Sequence, residues 1–169
     1  LASTNGMNEI ALLYSVRNYQ FTSEDDLQSI GRLLSGIGYN LSALGKAKEA
    51  LEFYNRANHV FMEQRLPEDI AETCYNYALT QIAEGEYKDA EVYMQYAMMI
   101  VEKLHLNSIR VCNLSKLYAI QALLSILQGN RFDCERYLMS CSQFLNYVLV
   151  KEEDEIGKEL PEMHAIIGN

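Results

Sequence analysis

Four glycines set the terms on which this chain can fold: Gly6, Gly45, Gly85 and Gly129, spaced 39, 40 and 44 residues apart. Small residues travel with them. Five positions after each glycine stands Ala11, Ala50, Ala90 or Cys134, and seven further on, after the last three, stands Ala57, Ala97 or Cys141. Asn18 interrupts that series at the N-terminal end. Seven positions before the last three glycines stands Gly38, Ala78 or Ala122. Repetition at such a period marks a chain built from stacked copies of one supersecondary unit. The physics suits a helix–turn–helix. A glycine closing the first helix can take a positive φ and stop it. A small residue upstream lets two antiparallel helices approach. Two small residues downstream, two turns apart, do the same for the second helix against its partner and the next unit.

Local patterning agrees with helices throughout. Residues 33–45 place Leu33, Leu34, Ile37, Leu41 and Leu44 at helical spacing, and residues 50–61 do the same with Leu51, Tyr54, Ala57, Val60 and Phe61. Residues 113–129 are apolar on most sides, as a helix between neighbours would be. With 2 prolines and 9 glycines in 169 residues, breakers are too few for many short strands. Ser23 and Asp26 form a helix-start pattern, and 66–72 and 107–111 mark further starts. The spacing predicts eight helices, at 7–19, 23–44, 46–64, 68–84, 87–104, 108–128, 131–150 and 154–167. They group as a half repeat 1–22, repeats 23–66, 67–106 and 107–151, and a final half repeat 152–169, within one domain 1–169. The chain opens on Leu1 rather than Met, as expected of a piece of a longer or processed protein.

Charge and motifs narrow the function. A formal net charge of −9 repels phosphate backbones and favours a neutral or basic partner, so direct nucleic-acid binding is not expected. No 18-residue apolar run or signal-peptide core is present, so neither is membrane insertion. Cys74, Cys112, Cys134 and Cys141 form no CxxC pair. Cys134 and Cys141, seven apart, fall on one helix face. The four read as small buried residues of a reducing compartment, the alternative being a disulfide. His59, His105 and His164 are isolated in sequence, and no phosphate loop, nucleophile elbow or metalloprotease motif occurs. Glu68/Asp69 and Glu152/Glu153 are adjacent in sequence, hence on different helix faces, and read as helix-start acids. Met94, Met98 and Met99 read as core or as an adaptable binding patch. No catalysis, cofactor or metal is expected.

The small-residue skeleton resembles tetratricopeptide repeats. Leu34, Ile37, Gly38, Leu41, Gly45, Ala50, Tyr54, Ala57 and Pro67 follow that pattern. Tyr77, Ala78, Gly85, Ala90 and Ala97 follow it again, with Met94 at the aromatic position, and Ala122, Gly129, Cys134, Leu138 and Cys141 form a degenerate third copy. The long period is similar to that of peptide-sensing regulators of Gram-positive bacteria (the Rap, PlcR and NprR group), of MalT-like activators and of kinesin light chains. The resemblance implies an all-α, right-handed superhelical α-solenoid of antiparallel helix pairs. It also implies a cytoplasmic, non-catalytic sensor or scaffold of a transcriptional regulator that binds a protein or peptide.

In such an array the first helix of each pair lines the concave face. The residues there not spent on packing are Arg32, Ser35, Tyr39 and Ser42; then Glu72, Tyr75, Asn76, Leu79 and Ile82; then Lys116, Ala119, Leu123 and Ile126. They would suit an extended peptide or a helix, with Asn76 holding backbone amides. Each has a plainer alternative: Asn76 and Lys116 as solvated helix residues, Tyr39 and Tyr75 as packing residues. The resemblance also supplies a clamp for a peptide's terminal carboxylate. Asn76 and Lys116 match it, but Ser35, Tyr39 and Ile120 stand at its other three positions, so no clamp is expected. The rival expectation is a homodimer formed through uncovered array ends, Ile10, Leu12 and Leu13 at one and Ile156, Leu160 and Ile166 at the other.

Overall fold

A computed structural model describes residues 2–104 and 108–151. Over these residues the protein is helical, without a strand. The seven helices are α1 (Ala2–Phe21), α2 (Leu27–Ala43), α3 (Ala47–Gln64), α4 (Pro67–Glu84), α5 (Tyr87–Val101), α6 (Ser108–Leu127) and α7 (Arg131–Lys151). Each of α1 to α4 packs on the next helix in the chain, α2 also touches α4, and α6 packs on α7. The chain divides into two compact units, Leu1–Lys103 and Leu104–Asn169. The expected eighth helix and final half repeat lie outside the described residues, as do His105, His164, Glu152, Glu153, Ile156, Leu160, Ile166 and the side chain of Cys112.

The turns explain the glycines. Gly45, Gly85 and Gly129 have φ of 75°, 82° and 77°. At each, the amide after the glycine donates to a carbonyl five residues back: Lys46 to Leu41 at 2.9 Å, Glu86 to Gln81 at 2.9 Å and Asn130 to Ser125 at 2.7 Å. This bond ties off carbonyls that the helix end leaves open, and it requires a left-handed residue that glycine adopts without a Cβ penalty. The turn after α3 makes the same bond, Leu66 to Phe61 at 2.9 Å, with Arg65 at φ 57° in the glycine's place. Gly6 departs from the expectation. It lies inside α1, which begins at Ala2 rather than residue 7, so it closes no helix.

The start of α2 is also corrected. Asp26, not Ser23, caps it: its carboxylate accepts the Ser29 amide at 3.1 Å, and the Ser29 side chain, then that amide, hold the Asp26 carboxyl below the usual carboxylate range. The Ser23 hydroxyl instead accepts the Asp25 amide at 3.4 Å, one turn outside the helix. Pro67 opens α4 with Glu68 and Asp69 in its first turn, as expected.

The recurring small residues are where the helices meet. Ala50, Ala57, Ala78, Ala90 and Ala97 have 0% exposure, and Ala122, Cys134 and Cys141 are buried. Within the α2–α3 pair two glycines form a notched face. A Cβ on Gly38 would come within 2.7 Å of the Tyr54 ring, and one on Gly31 within 2.5 Å of the Phe61 ring. Gly31 and Gly38 stand two turns apart on α2, and Phe61 and Tyr54 are their mates two turns apart on α3, so the helices run antiparallel. Around Tyr54 gather Ile37, Leu41, Ala50 and Tyr77, with Leu12, Val16 and Tyr19 of α1 packed against them. Leu12 is therefore covered, contrary to the expectation of an open end, whereas Ile10 and Leu13 are exposed. Met94 is buried, but Met99 is exposed and belongs to no core.

Candidate functional site

One face of α2 and one face of α4 enclose a cleft of about 430 Å³. Arg32, Ser35, Gly36, Tyr39 and Asn40 come from α2, Asp69, Glu72, Thr73 and Asn76 from α4, and Phe61 of α3 closes the floor. The two sets recur at three- and four-residue intervals, so each forms one stripe on its helix. The volume is at the small end of the range that encloses a ligand.

Arg32 and Asp69 cross the cleft. The Arg32 Nε donates to Asp69 Oδ1 at 2.9 Å, with the guanidinium largely exposed and the carboxylate largely covered. That hydrogen bond, then the Asp69 charge, raise the Arg32 pKa, and Glu72 adds to the effect from the next turn. Thr73 donates its hydroxyl to the Asp69 carbonyl at 2.8 Å and lies 3.5 Å from the Ser35 hydroxyl. Asn40 turns its amide inward to the Gly36 carbonyl at 2.9 Å. Tyr39, with 57% exposure, presents its ring at the rim.

Of the residues expected on the concave face, Arg32, Ser35, Tyr39, Glu72 and Asn76 share this cleft. Ser42 does not line it. Its hydroxyl lies 2.8 Å from that of Thr80, which donates onward to the Asn76 carbonyl at 3.0 Å. The hydrogen bond between the two hydroxyls ties α2 to α4. Beneath it, burial pushes the Tyr54 hydroxyl pKa up to about 12 against the lowering effect of its Thr80 hydrogen bond. Tyr75 and Leu79 are half-buried on α4 and are not among the lining residues. Lys116 and Leu123 lie on α6 in the second unit, half-buried and exposed respectively.

The sequence reading missed Asp69, Thr73, Asn40 and Phe61. Asp69 was available, since residues 69, 72, 73 and 76 fall on one helix face; its place in the first turn of α4 gave it a sufficient reason of another kind. Cys74, Cys134 and Cys141 are buried free thiols, so the disulfide alternative does not hold for these three. Burial pushes the Cys74 thiol up to about 11, the opposite of an activated nucleophile. His59 is exposed beside Glu63 at 3.2 Å. Among the described residues no three His, Cys, Asp or Glu side chains converge as metal ligands, and no helix is long and apolar enough to cross a membrane. Neither a protein-family model nor a curated protein matches the chain.

Proposed function

We propose that this chain is a tetratricopeptide-like binding module, a right-handed α-solenoid that holds an extended segment of a protein or peptide and carries out no reaction. Its place would be the sensor or scaffold part of a cytoplasmic regulator. The observation that carries the reading is the cleft between α2 and α4. Two helices separated by a full turn–helix–turn bring five side chains with spare hydrogen-bonding capacity to one opening. In a repeat array that opening belongs to the inner face. The chain-order packing of α1 to α5 and the left-handed turns at 45, 65 and 85, twenty residues apart, are what a solenoid requires. A randomised peptide library panned on the chain tests the proposal. Enrichment should disappear with the double substitution Tyr39→Ala/Asn76→Ala. If wild type and the double variant enrich the same peptides, or neither enriches any, the cleft holds no peptide.

One observation favours a second role, self-association. Met7, Ile10, Tyr14 and Phe21 of α1 are all more than half exposed and recur at three, four and seven residues, an apolar stripe on the helix face turned from α2. Light scattering separates the roles. A dimer lost on Ile10→Glu/Tyr14→Glu, with peptide capture intact, would place assembly on α1 and recognition in the cleft.

A further inference from the structure

The cleft's charge balance says more than that it is polar. Two carboxylates, Asp69 and Glu72, face one guanidinium, Arg32, and Arg32 is already committed through its Nε to Asp69. Glu72 and the Asn76 amide hold no side-chain hydrogen bond among the described residues. The Tyr39 ring stands exposed at the mouth, offering a π face to a cation. The surrounding protein deepens the bias, with a formal charge of −9. A ligand anion could reach the Arg32 Nη groups only against the charges of Asp69 and Glu72. A ligand cation is drawn by those two carboxylates and opposed by one guanidinium.

The geometry points to a cation-reading cleft: the occupant is an extended peptide segment whose Lys or Arg side chain enters beside Glu72, lies over the Tyr39 ring, and has its backbone held by the Asn76 amide. This rests on the peptide-binding reading and adds the chemistry of the partner. Arg32 then acts as a brake. By occupying Asp69 it leaves Glu72 as the single free carboxylate, so the cleft takes one basic side chain rather than a basic run.

The inference fixes opposite signs for two substitutions. Glu72→Gln removes the free carboxylate. Arg32→Gln removes the competing cation and releases Asp69. The probes are fluorescein-labelled alternating Lys-Ser, Gln-Ser and Glu-Ser peptides of equal length, titrated by anisotropy into the whole chain. Circular dichroism confirms that each variant is folded. The Lys-Ser peptide should bind about three- to five-fold more weakly to Glu72→Gln, the effect of an exposed ion pair. It should bind more tightly to Arg32→Gln, and added salt should shrink both differences. Glu52→Gln, an equal charge change on an exposed α3 residue outside the lining, should do nothing. Equal loss with Glu52→Gln would reduce the effect to the chain's overall charge and overturn the inference. Tighter Glu-Ser binding, lost with Arg32→Gln, would make the cleft an anion site and overturn it too. If the Gln-Ser peptide binds as well as Lys-Ser and the Tyr39→Ala/Asn76→Ala variant releases both, the peptide reading survives and the cation inference falls. If no peptide of any charge binds, both fall.

Discussion

The α2–α3 and α4–α5 pairs are two solutions to one packing problem. Seven residues before its turn glycine the first pair has Gly38 and the second Ala78; nine residues after it the first has Tyr54 and the second Met94. All four are buried, the last three at 1% or less. The first pair sets the smallest side chain against a rigid ring; the second has a methyl and a flexible thioether at the matching positions. What the two pairs hold in common is the combined side-chain volume at these positions rather than either residue. The rigid version has little slack, because the Tyr54 ring occupies the space where a Gly38 Cβ would be. A methionine can adjust around an alanine.

Four outcomes would break or sharpen that comparison. The largest is Tyr54→Ala. Removing a ring that is 1% exposed should cost about 3–5 kcal/mol, the range for large aromatic truncations, read from urea unfolding. Met94→Ala should cost less, and equal costs would deny the difference in rigidity. Next comes Gly38→Ala, which should destabilise by about 1–3 kcal/mol through overpacking. Adding Tyr54→Met to it imports the second pair's solution into the first, so the double variant should be more stable than the sum of the single effects. An additive cycle would mean the two positions do not share a seam.

Third are the turns. Gly85→Ala, at φ 82°, should cost about 1–2 kcal/mol, and Arg65→Gly, at φ 57°, should gain about 0.5–1 kcal/mol because it removes the same penalty. Thermal melts read both. The smallest effect near neutrality is that of pH. Burial holds Cys74 neutral in the folded state, its pKa rising from 9.0 to about 11, so its contribution is complete below pH 9 and is lost as pH climbs towards 11. Tyr54, raised from 10.0 to about 12, loses its contribution one unit later. Alkaline unfolding should therefore begin at the α3–α4 contact, where the Asn58 amide donates to the Cys74 sulfur at 3.6 Å. Cys74→Ala should flatten the first part of the curve and leave the second.

Much of this arrangement is legible in the order of residues. The small side chains at 50, 57, 78, 90 and 97 announce the contacts between helices, because nothing else fits where two backbones approach. Three turn glycines announce the breaks. Gly6 misleads because the same residue serves a turn or simply sits in a helix, and only its neighbours decide. Arg65 hides a fourth turn, because a non-glycine can hold the left-handed state when the surrounding bonds compel it. Gly31 is silent in sequence for another reason: its partner, Phe61, is thirty residues away, and the notch exists only once the pair has formed. The cleft was half legible. Helical spacing alone collects Arg32, Ser35 and Tyr39, and likewise Glu72 and Asn76. That Asp69 joins them depends on the offset between α2 and α4, which no single helix encodes. Ser42 has the right spacing and the wrong partner, its hydroxyl being taken by Thr80.

The placement of α1 has a consequence for how the protein opens. Its one extensive helix contact is with α2, and Leu12, Val16 and Tyr19 pack on the cluster around Tyr54, while its opposite side faces water with methionine, isoleucine and aromatic rings. Its backbone amides should then exchange with deuterium sooner than those of α2 to α4, through an opening that leaves the four following helices closed. Whatever molecule shields that outer side would slow the exchange of α1 and leave the slowest amides unchanged, so protection of this one helix becomes a gauge of occupancy.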